Sequence, residues 1–468
     1  MFRLFRHYLS GQSLFLFGAD CLLLFGIYYF ISTTSLPLPT VPFHGLSGEA
    51  ARGSGALFLS AAMGVVMWST GLYDRSRLAD ISHSSKRLIL AFIIGYPLVL
   101  SLAVLDDGRT ISGFGQLPVY GASAIAASVG VLTFRFTFAR VLNLVDTRRR
   151  ILVIGVGPRA AHIEELVRQN RNHQFTVVGY VRVMNEETIV EPSHALSGID
   201  SLADAVAHFR AQELVVAITN RRGFPLQSLL ECRLLGIPVT DYLTFWERET
   251  GQVMLEALDP SWLVYSDGFR LGAASEFLKR LFDIMVSITF LILLAPLILA
   301  AAAAIRLDSP GSVLFVQERV GRNGRTFALY KFRSMYADAE ASGVPRWAEV
   351  NDERVTRVGA FLRKTRIDEL PQIFNVLKGD MSIVGPRPER PYFVQTLTKD
   401  IPFYNSRHYV RPGITGWAQI NYPYGASVGD SRQKLSFDLY YIKNYSFLLD
   451  LLILLETVQA IIWPHGVR

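Results

Sequence analysis

Asp368 and Glu369 stand side by side in KTRIDELPQIFNVLKGDMSIVGPRPERPYF, Lys364–Phe393, with Arg363, Lys364, Arg366, Arg387 and Arg390 close in sequence. Lys331 and Arg333 in YKFRSM and Arg411 in RPGITGW add to this density of cations. Arginine forks match phosphate oxygens two at a time, and a carboxylate pair among them can hold Mg²⁺, whose charge neutralises that of phosphate. Lys331, Arg333, Arg363, Arg387 and Arg411 are therefore candidate phosphate-binding residues, and Asp368 a candidate metal ligand. Together these are the parts of a phosphoryl-transfer site. A carboxylate can also act as the nucleophile, forming an acyl phosphate that divides one hard displacement into two easier ones. For Asp368 alone a structural alternative stands, because Asp is a good helix N-cap. His408 is the one histidine between Arg306 and Trp463, so no obvious alternative base presents itself.

The elements around the pair must hold it in place. Leu370, Ile373, Phe374 and Leu377 follow the i, i+3, i+4, i+7 spacing of one buried helix face, with Pro371 in the first turn. The carboxylates then fall at or just before the helix N-terminus, where free N–H groups and the dipole favour negative charge. VGPRP and RPGITGW supply rigid turns that bring backbone close to a ligand, although either alone reads as an ordinary loop. Upstream, residues 284–305 carry no charge, a length sufficient to cross a membrane. Lys279 and Arg280 precede this run, Arg306 follows it, and Pro296 in its middle removes a helix hydrogen bond and bends the axis. The pattern predicts a re-entrant helix, about 277–305, that dips into one leaflet and returns; a fifth spanning helix with an external C-terminal domain is the competing reading. Phe447–Trp463, interrupted by Asp450 and Glu456, predicts an amphipathic helix lying on the membrane surface.

Composition points the same way. The 468 residues are 50% hydrophobic and 19% charged, and mean hydropathy is +0.27, values unusual for a water-soluble enzyme. The net charge of +7 suits anionic headgroups or phosphorylated substrates as readily as nucleic acid. Cys21 and Cys232 are the sole cysteines, which excludes a disulfide framework or a cysteine metal site. The N-terminus has the basic start of a signal peptide but a long apolar run without a clear cleavage site, and reads as a retained anchor. Four apolar segments, Leu14–Ile31, Leu57–Leu72, Leu88–Leu105 and Leu117–Phe134, predict a four-helix transmembrane bundle in residues 1–150. Arg3, Arg6, Arg75, Arg77, Lys86, Arg87, Arg135, Arg140 and Arg148–Arg150 flank one side and only Arg52 and Arg109 the other, which puts both bundle ends in the cytoplasm. Asp20 within the first segment is either functional or buried against neighbouring helices. ILVIGVGPRAAHIEELVRQ, Ile151–Gln169, reads as strand, glycine turn and helix, and later β-branched runs extend it to a Rossmann-like α/β domain at 151–260. Gly155, Gly157 and Ala160 match G-x-G-x-x-A, but Val177–Arg182 holds no acid for a ribose, so dinucleotide binding and a structural or regulatory role both stay open.

Lys279–Trp463, with KRLFDI, YKFRSM, DELPQIFNVLKGDMSIVGPRP, VRPGITGWAQIN and DLYYIKNYSFLLDL, closely resembles the bacterial monotopic phosphoglycosyl transferases, also called bacterial sugar transferases. The layout of the whole chain is similar to that of the large polyprenyl glycosylphosphotransferases that start exopolysaccharide, capsule or O-antigen repeat units. The resemblance implies a membrane protein of α plus α/β class, whose 275–468 form a mostly helical monotopic catalytic domain with the re-entrant helix. It implies transfer of a sugar 1-phosphate from a UDP-sugar, a glucose or galactose donor by expectation, to undecaprenyl phosphate, releasing UMP. Asp368 corresponds to the nucleophile, also linked with Mg²⁺, and Glu369 to its dyad partner. Arg363 and Arg387 match phosphate-binding positions, and Pro296 the helix-breaking proline. Ala295 departs from some small relatives, which have serine there; the bend would rest more on Pro296. The implied setting is the bacterial inner (cytoplasmic) membrane, multi-pass, with both folded domains on the cytoplasmic face. The implied partners are the UDP-sugar, undecaprenyl phosphate and membrane lipid, with a homodimer open and nucleic acid not expected. Two other readings are a membrane scaffold or sensor for polysaccharide assembly and a nucleotide-sugar-modifying enzyme using the Rossmann-like domain; the latter lacks a Tyr-x-x-x-Lys at helical spacing.

Overall fold

Long apolar runs become helices here, and short β-branched runs between glycine turns become a parallel sheet. The computed structural model describes residues 2–4, 7–9, 11–34, 49–73, 81–99, 117–144, 148–169, 175–183, 187–191, 195–196, 201–219, 226–258, 268–269, 272–336, 354–423, 425 and 427–463. Two compact units divide at Thr250/Gly251, and the described residues 251–258 go with the C-terminal unit.

In the first unit, α1 (Gly11–Thr34), α2 (Glu49–Ser69), α3 (Ile81–Leu90) and α4 (Leu117–Leu144) pack around Leu24, Tyr28, Met63, Met67, Leu88 and Val131. The third segment starts earlier than its apolar run suggests and passes through a π-helical turn, Ala91–Gly95; residues 100–105 of that prediction lie outside the described chain. Gly95 lets Val66 fill the space a Cβ would take, so α2 approaches that turn closely. Three helical stretches among the described residues are long and apolar enough to cross a membrane, Gly11–Ile31, Gly121–Arg140 and Ala273–Asp308, with Gly53–Ser69 a shorter apolar helix. Asp20 is fully buried, and both Arg135 Nη2 at 2.6 Å and Tyr73 Oη at 2.9 Å donate to its Oδ2. Burial against a neighbouring arginine is thus what holds this acid.

Between Arg149 and Asp241 the described strands form a five-stranded parallel sheet, β1 (Arg149–Ile154), β2 (Phe175–Val181), β3 (Ala195–Leu196), β4 (Glu213–Val216) and β5 (Val239–Asp241), in the order β3-β2-β1-β4-β5. The strands alternate with α5 (Pro158–Gln169), α6 (Leu202–His208), α7 (Leu226–Leu234) and α8 (Tyr242–Thr250). Gly155, at φ 123°, makes the turn that leaves β1. The carbonyl of Val156 in that turn accepts from Ile189 N at 2.8 Å, folding segment 187–191 onto the glycine motif.

The second unit is built on α9 (Ala273–Asp308), which runs continuously through Pro296. Its buried residues come at the two ends, Lys279, Asp283 and Ser287 in the first part and Ala301 and Ile305 in the last. Between them Ile288, Phe290, Ile292, Leu293, Leu297 and Leu299 are exposed. The hairpin β6 (Leu314–Val320) and β7 (Thr326–Phe332) follows, then α10 (Arg357–Lys364) and α11 (Gln372–Lys378). A parallel pair, β8 (Ser382–Val384) and β9 (Gly413–Thr415), brackets α12 (Pro391–Asp400), and α13 (Trp417–Asn421), α14 (Val428–Lys443) and α15 (Phe447–Ile462) complete the unit. Val376, Met381, Ile383, Val384, Leu439 and Ile453 share its main core.

Two predicted faces are corrected. On α11 the buried side carries Gln372, Ile373, Asn375 and Val376, while Phe374 is exposed and Pro371 stands just before the helix. Asn375 displaces the apolar pattern because its side chain donates to Ala328 O at 2.7 Å and accepts from Tyr330 N at 3.0 Å, docking α11 on β7. On α15, Asp450 is 1% exposed and pairs with Lys279 at 2.7 Å, so this acid faces the core rather than water. The exposed side of the helix is apolar: Phe447, Leu451, Val458 and Ile461.

Candidate active site

Asp368 and Glu369 sit in a single 3₁₀ turn, Ile367–Glu369, between α10 and α11. Arg366, which opens that turn, holds a left-handed backbone at φ 59°, a conformation that costs a non-glycine residue about 1–2 kcal/mol. Strain of this kind persists where the surroundings over-determine the turn. Both acids are buried, at 7% and 9% exposure, and they are treated very differently. Glu369 Oε1 accepts from Arg387 Nη2 at 2.9 Å and from Lys331 Nζ at 3.2 Å. Asp368 Oδ1 is buried with no hydrogen-bond partner.

The titration of the two follows from these surroundings. Burial raises the Asp368 pKa above the usual aspartate value, with the charge of Glu369 adding to it, against the opposing pull of Lys331, Arg363 and Arg366. At Glu369 burial works in the same direction, but Arg387 and Lys331 outweigh it and hold the carboxyl well below its ordinary range. Lys331 is lowered, first by its own burial and then by Arg387, against the attraction of Glu369. Adjacent acids pushed apart in this way can take different roles: Glu369 is a fixed anion that gathers cations, and Asp368 is a desolvated acid with one oxygen unpartnered.

The loop carrying Arg387 contains two prolines that donate nothing, so its carbonyls fasten it. Pro386 O accepts from Gly413 N at 2.9 Å, Arg387 O from Arg407 Nη2 at 2.9 Å, Pro388 O from Arg319 Nη1 at 3.0 Å and Glu389 O from Val320 N at 2.9 Å. Arg387 Nη1 also donates to Gln419 Oε1 at 3.1 Å. A Cβ on Gly413 would overlap Gly385 N and Thr415 O, so the glycines of VGPRP and RPGITGW serve the close approach of these two segments to each other. A shallow surface cleft opens beside them, lined among others by Arg387, Arg407, His408 and Val320. Burial and then Arg407 push His408 down to about 4, leaving it a neutral ring at pH 7.

Lys331 and Arg387 thus meet on Glu369, and Arg363, in the last turn of α10, acts electrostatically on Asp368. Arg333 and Arg411 are engaged elsewhere. Arg333 is buried and donates to Ser309 O at 2.7 Å and Pro310 O at 3.0 Å, closing the end of α9; Arg411 Nε donates to Gly379 O at 3.2 Å. Sequence reasoning missed Gln419, Arg407 and Asp438. Arg407 is buried beside Asp438, 2.9 Å away, and donates to Tyr404 Oη at 2.7 Å as well as to the Arg387 carbonyl. Nothing local singles out Gln419, which shares WAQIN with the polar Asn421, and nothing local marks Arg407.

Mg²⁺ is the ion that an acid pair of this kind would take. Among the described residues no group of three or more His, Cys, Asp or Glu could hold a metal. Magnesium commonly takes one or two carboxylates and completes its shell with phosphate and water, and the unpartnered Asp368 Oδ1 would be the first such donor here.

The apolar helices are those of a membrane protein, and its second unit holds a buried acid pair on which two cations converge. The bacterial sugar transferase family matches residues 274–464. A UDP-N-acetylgalactosamine-undecaprenyl-phosphate N-acetylgalactosaminephosphotransferase of Aeromonas hydrophila is 47% identical over 240 residues, 51% of this chain and 56% of that one. UDP-glucose:undecaprenyl-phosphate glucose-1-phosphate transferases of Xanthomonas campestris pv. campestris and Caulobacter vibrioides are 32% and 42% identical over 352 and 264 residues. These matches cover 72% and 52% of this chain and 72% and 97% of theirs, whereas the chain spans about half the length of the Aeromonas relative. The chain belongs to the bacterial sugar transferase family.

Proposed function

We propose that the protein transfers a sugar 1-phosphate from a UDP-sugar to undecaprenyl phosphate, giving undecaprenyl-diphosphate-sugar and UMP, with Asp368 as covalent nucleophile. The observation that carries this reading is the unpartnered Asp368 Oδ1 beside the Glu369–Arg387–Lys331 cluster. An Asp368 oxygen attacks the β-phosphorus of the donor, the bond from that phosphorus to the bridging oxygen breaks, and UMP leaves with the electron pair. A phosphate oxygen of the polyprenyl acceptor then attacks the same phosphorus and returns Asp368 as a free carboxylate. Lys331, Arg363 and Arg387 bind the phosphate oxygens, and Glu369 keeps Lys331 and Arg387 oriented. Asp368 and Glu369 would hold Mg²⁺, which supplies positive charge against the diphosphate when bound. The relatives' names divide between glucose and N-acetylgalactosamine, which supports a hexose or hexosamine donor.

The lipid acceptor requires a site at the membrane face. From Asp283 to Ala301 a straight helix extends about 27 Å, close to the roughly 30 Å of bilayer hydrocarbon. Yet Asp283 contacts Ser382 and Ala301 clusters with Leu362, both within the same folded unit. A crossing helix would separate these contacts by a bilayer, so we read α9 as entering and leaving on one face, with its exposed middle in lipid. That face is the cytoplasmic face of the inner membrane in this reading, where a nucleotide donor is available.

Undecaprenyl phosphate and Mg²⁺ added to nanodisc-held protein with a panel of UDP-sugars test the proposal. UMP is expected with one donor or a small set and is lost in Asp368→Asn. Substantial release by that variant would overturn the covalent route; none by wild type with any donor would overturn the reaction.

A further inference from the structure

Two neighbouring residues in the first part of α9, Arg280 and Asp283, reach the two chain segments that carry the site, and a third, Lys279, ties Asp283 to α15. Arg280 Nη1 and Nη2 donate to Val376 O at 2.6 Å and Leu377 O at 2.7 Å, in the last turn of α11, the helix that follows Asp368 and Glu369. Asp283 Oδ1 accepts from Ser382 Oγ at 3.0 Å and Ile383 N at 3.1 Å, in β8, the strand that leads directly to Gly385, Pro386 and Arg387. Lys279 pairs with Asp450 at 2.7 Å and lies 4.0 Å from Asp283. Tyr441 Oη completes the set, 2.8 Å from Asp450 Oδ1 and 3.1 Å from Val384 O, the last residue of β8. Asp283 is 0% and Asp450 1% exposed.

This is a costly way to make a seam between a helix and a domain. Two buried carboxylates share one lysine, where packed apolar side chains would serve stability as well. What charge-assisted bonds add is directional placement. Here the bonds end on the backbone of the strand that aims Arg387. The same helix, a turn further on, exposes the apolar residues that enter lipid in the reading above.

We propose that Asp283 is a positioning residue that makes the placement of Arg387 depend on the seating of α9. The membrane helix is thereby part of the active-site scaffold and not only an anchor. The structural half of this inference stands on the contacts; its consequence for turnover rests on the proposed reaction.

Hydrogen exchange and steady-state kinetics on the full chain in nanodiscs test both halves. In Asp283→Ala, exchange across 382–390 is expected to rise at least tenfold while the 149–216 sheet is unchanged, and kcat/KM to fall about 10- to 100-fold, as for a small misplacement of a binding group. Asp283→Asn keeps an acceptor oxygen and should stay within a few fold of wild type in both. Unchanged protection at 382–390 in folded Asp283→Ala overturns the proposal, as does an Asn variant no better than Ala. Should Asp283→Ala fail to fold, Ser382→Ala removes one bond from the other side; unchanged exchange around Ile383 there also overturns it. Wild type that exchanges as expected but turns over no donor would sink the reaction while leaving the coupling in place.

Discussion

At the residue scale, neighbouring acids with opposite shifts make separable predictions. The folded-state pKa of Asp368 is raised, so its ionised form weakens the fold once pH exceeds the unfolded value, and fully so above the folded one. Asp368→Asn should therefore abolish turnover without lowering the thermal midpoint at pH 7, and any gain should vanish as pH falls below the ordinary aspartate range. Turnover of the wild type should decline as pH drops through the raised Asp368 value, because the protonated acid is a poor nucleophile. Burial pushes Asp438 up to about 6 against the pull of Arg407, so the same acid profile measured in Asp438→Asn assigns the limb. Glu369 behaves in the opposite sense. Its pKa is depressed, so its contribution to stability is complete above the unfolded glutamate value and lost only as pH falls through the lower folded one. Glu369→Gln leaves Lys331 and Arg387 without their shared anion and should cost roughly 2–3 kcal/mol in a denaturant titration at pH 7.

Short elements with specific polar ties do the positioning at the next scale. α11 is held to β7 by Asn375 and to α9 by Arg280, and β8 is paired with β9 through backbone that admits no side chain. Asn375→Ala orphans the Ala328 carbonyl and the Tyr330 amide and is expected to cost about 2 kcal/mol. Gly413→Ala forces backbone apart where nothing flexible can yield, an expected loss of about 1–3 kcal/mol. Turnover should fall further than stability alone explains, because Gly413 N also fastens Pro386, the residue before Arg387. Thermal shift and UMP release measured on one preparation separate the two effects.

For the whole molecule, the test is topology. Glu231 in the α/β domain and Glu318 on β6, beyond α9, are both exposed. Introduced singly as cysteines in a background lacking Cys21 and Cys232, they should react with an impermeant maleimide from the same face of oriented vesicles. Opposite faces would make α9 a spanning helix. Pro296→Leu restores the missing backbone donor in the apolar middle of α9 and should shift part of the population toward the crossing form, read as Glu318→Cys labelling from the far side.

Local and periodic features were legible in the chain itself. The adjacency of Asp368 and Glu369, the cations near them, the charge-free run 284–305 and the glycine turn after β1 need no distant partner to be recognised. Tertiary structure decided what each charge does. Lys331 and Arg387, 38 and 18 residues from Glu369, converge on it, while Arg333 and Arg411 are drawn to carbonyls of Ser309, Pro310 and Gly379. Asp450 reads in sequence as a break in an apolar helix and is in fact the buried counter-charge of Lys279, 171 residues away. Periodicity reports which face of an element is apolar, but a buried polar side chain is stabilised only by the particular partner that long-range packing brings to it.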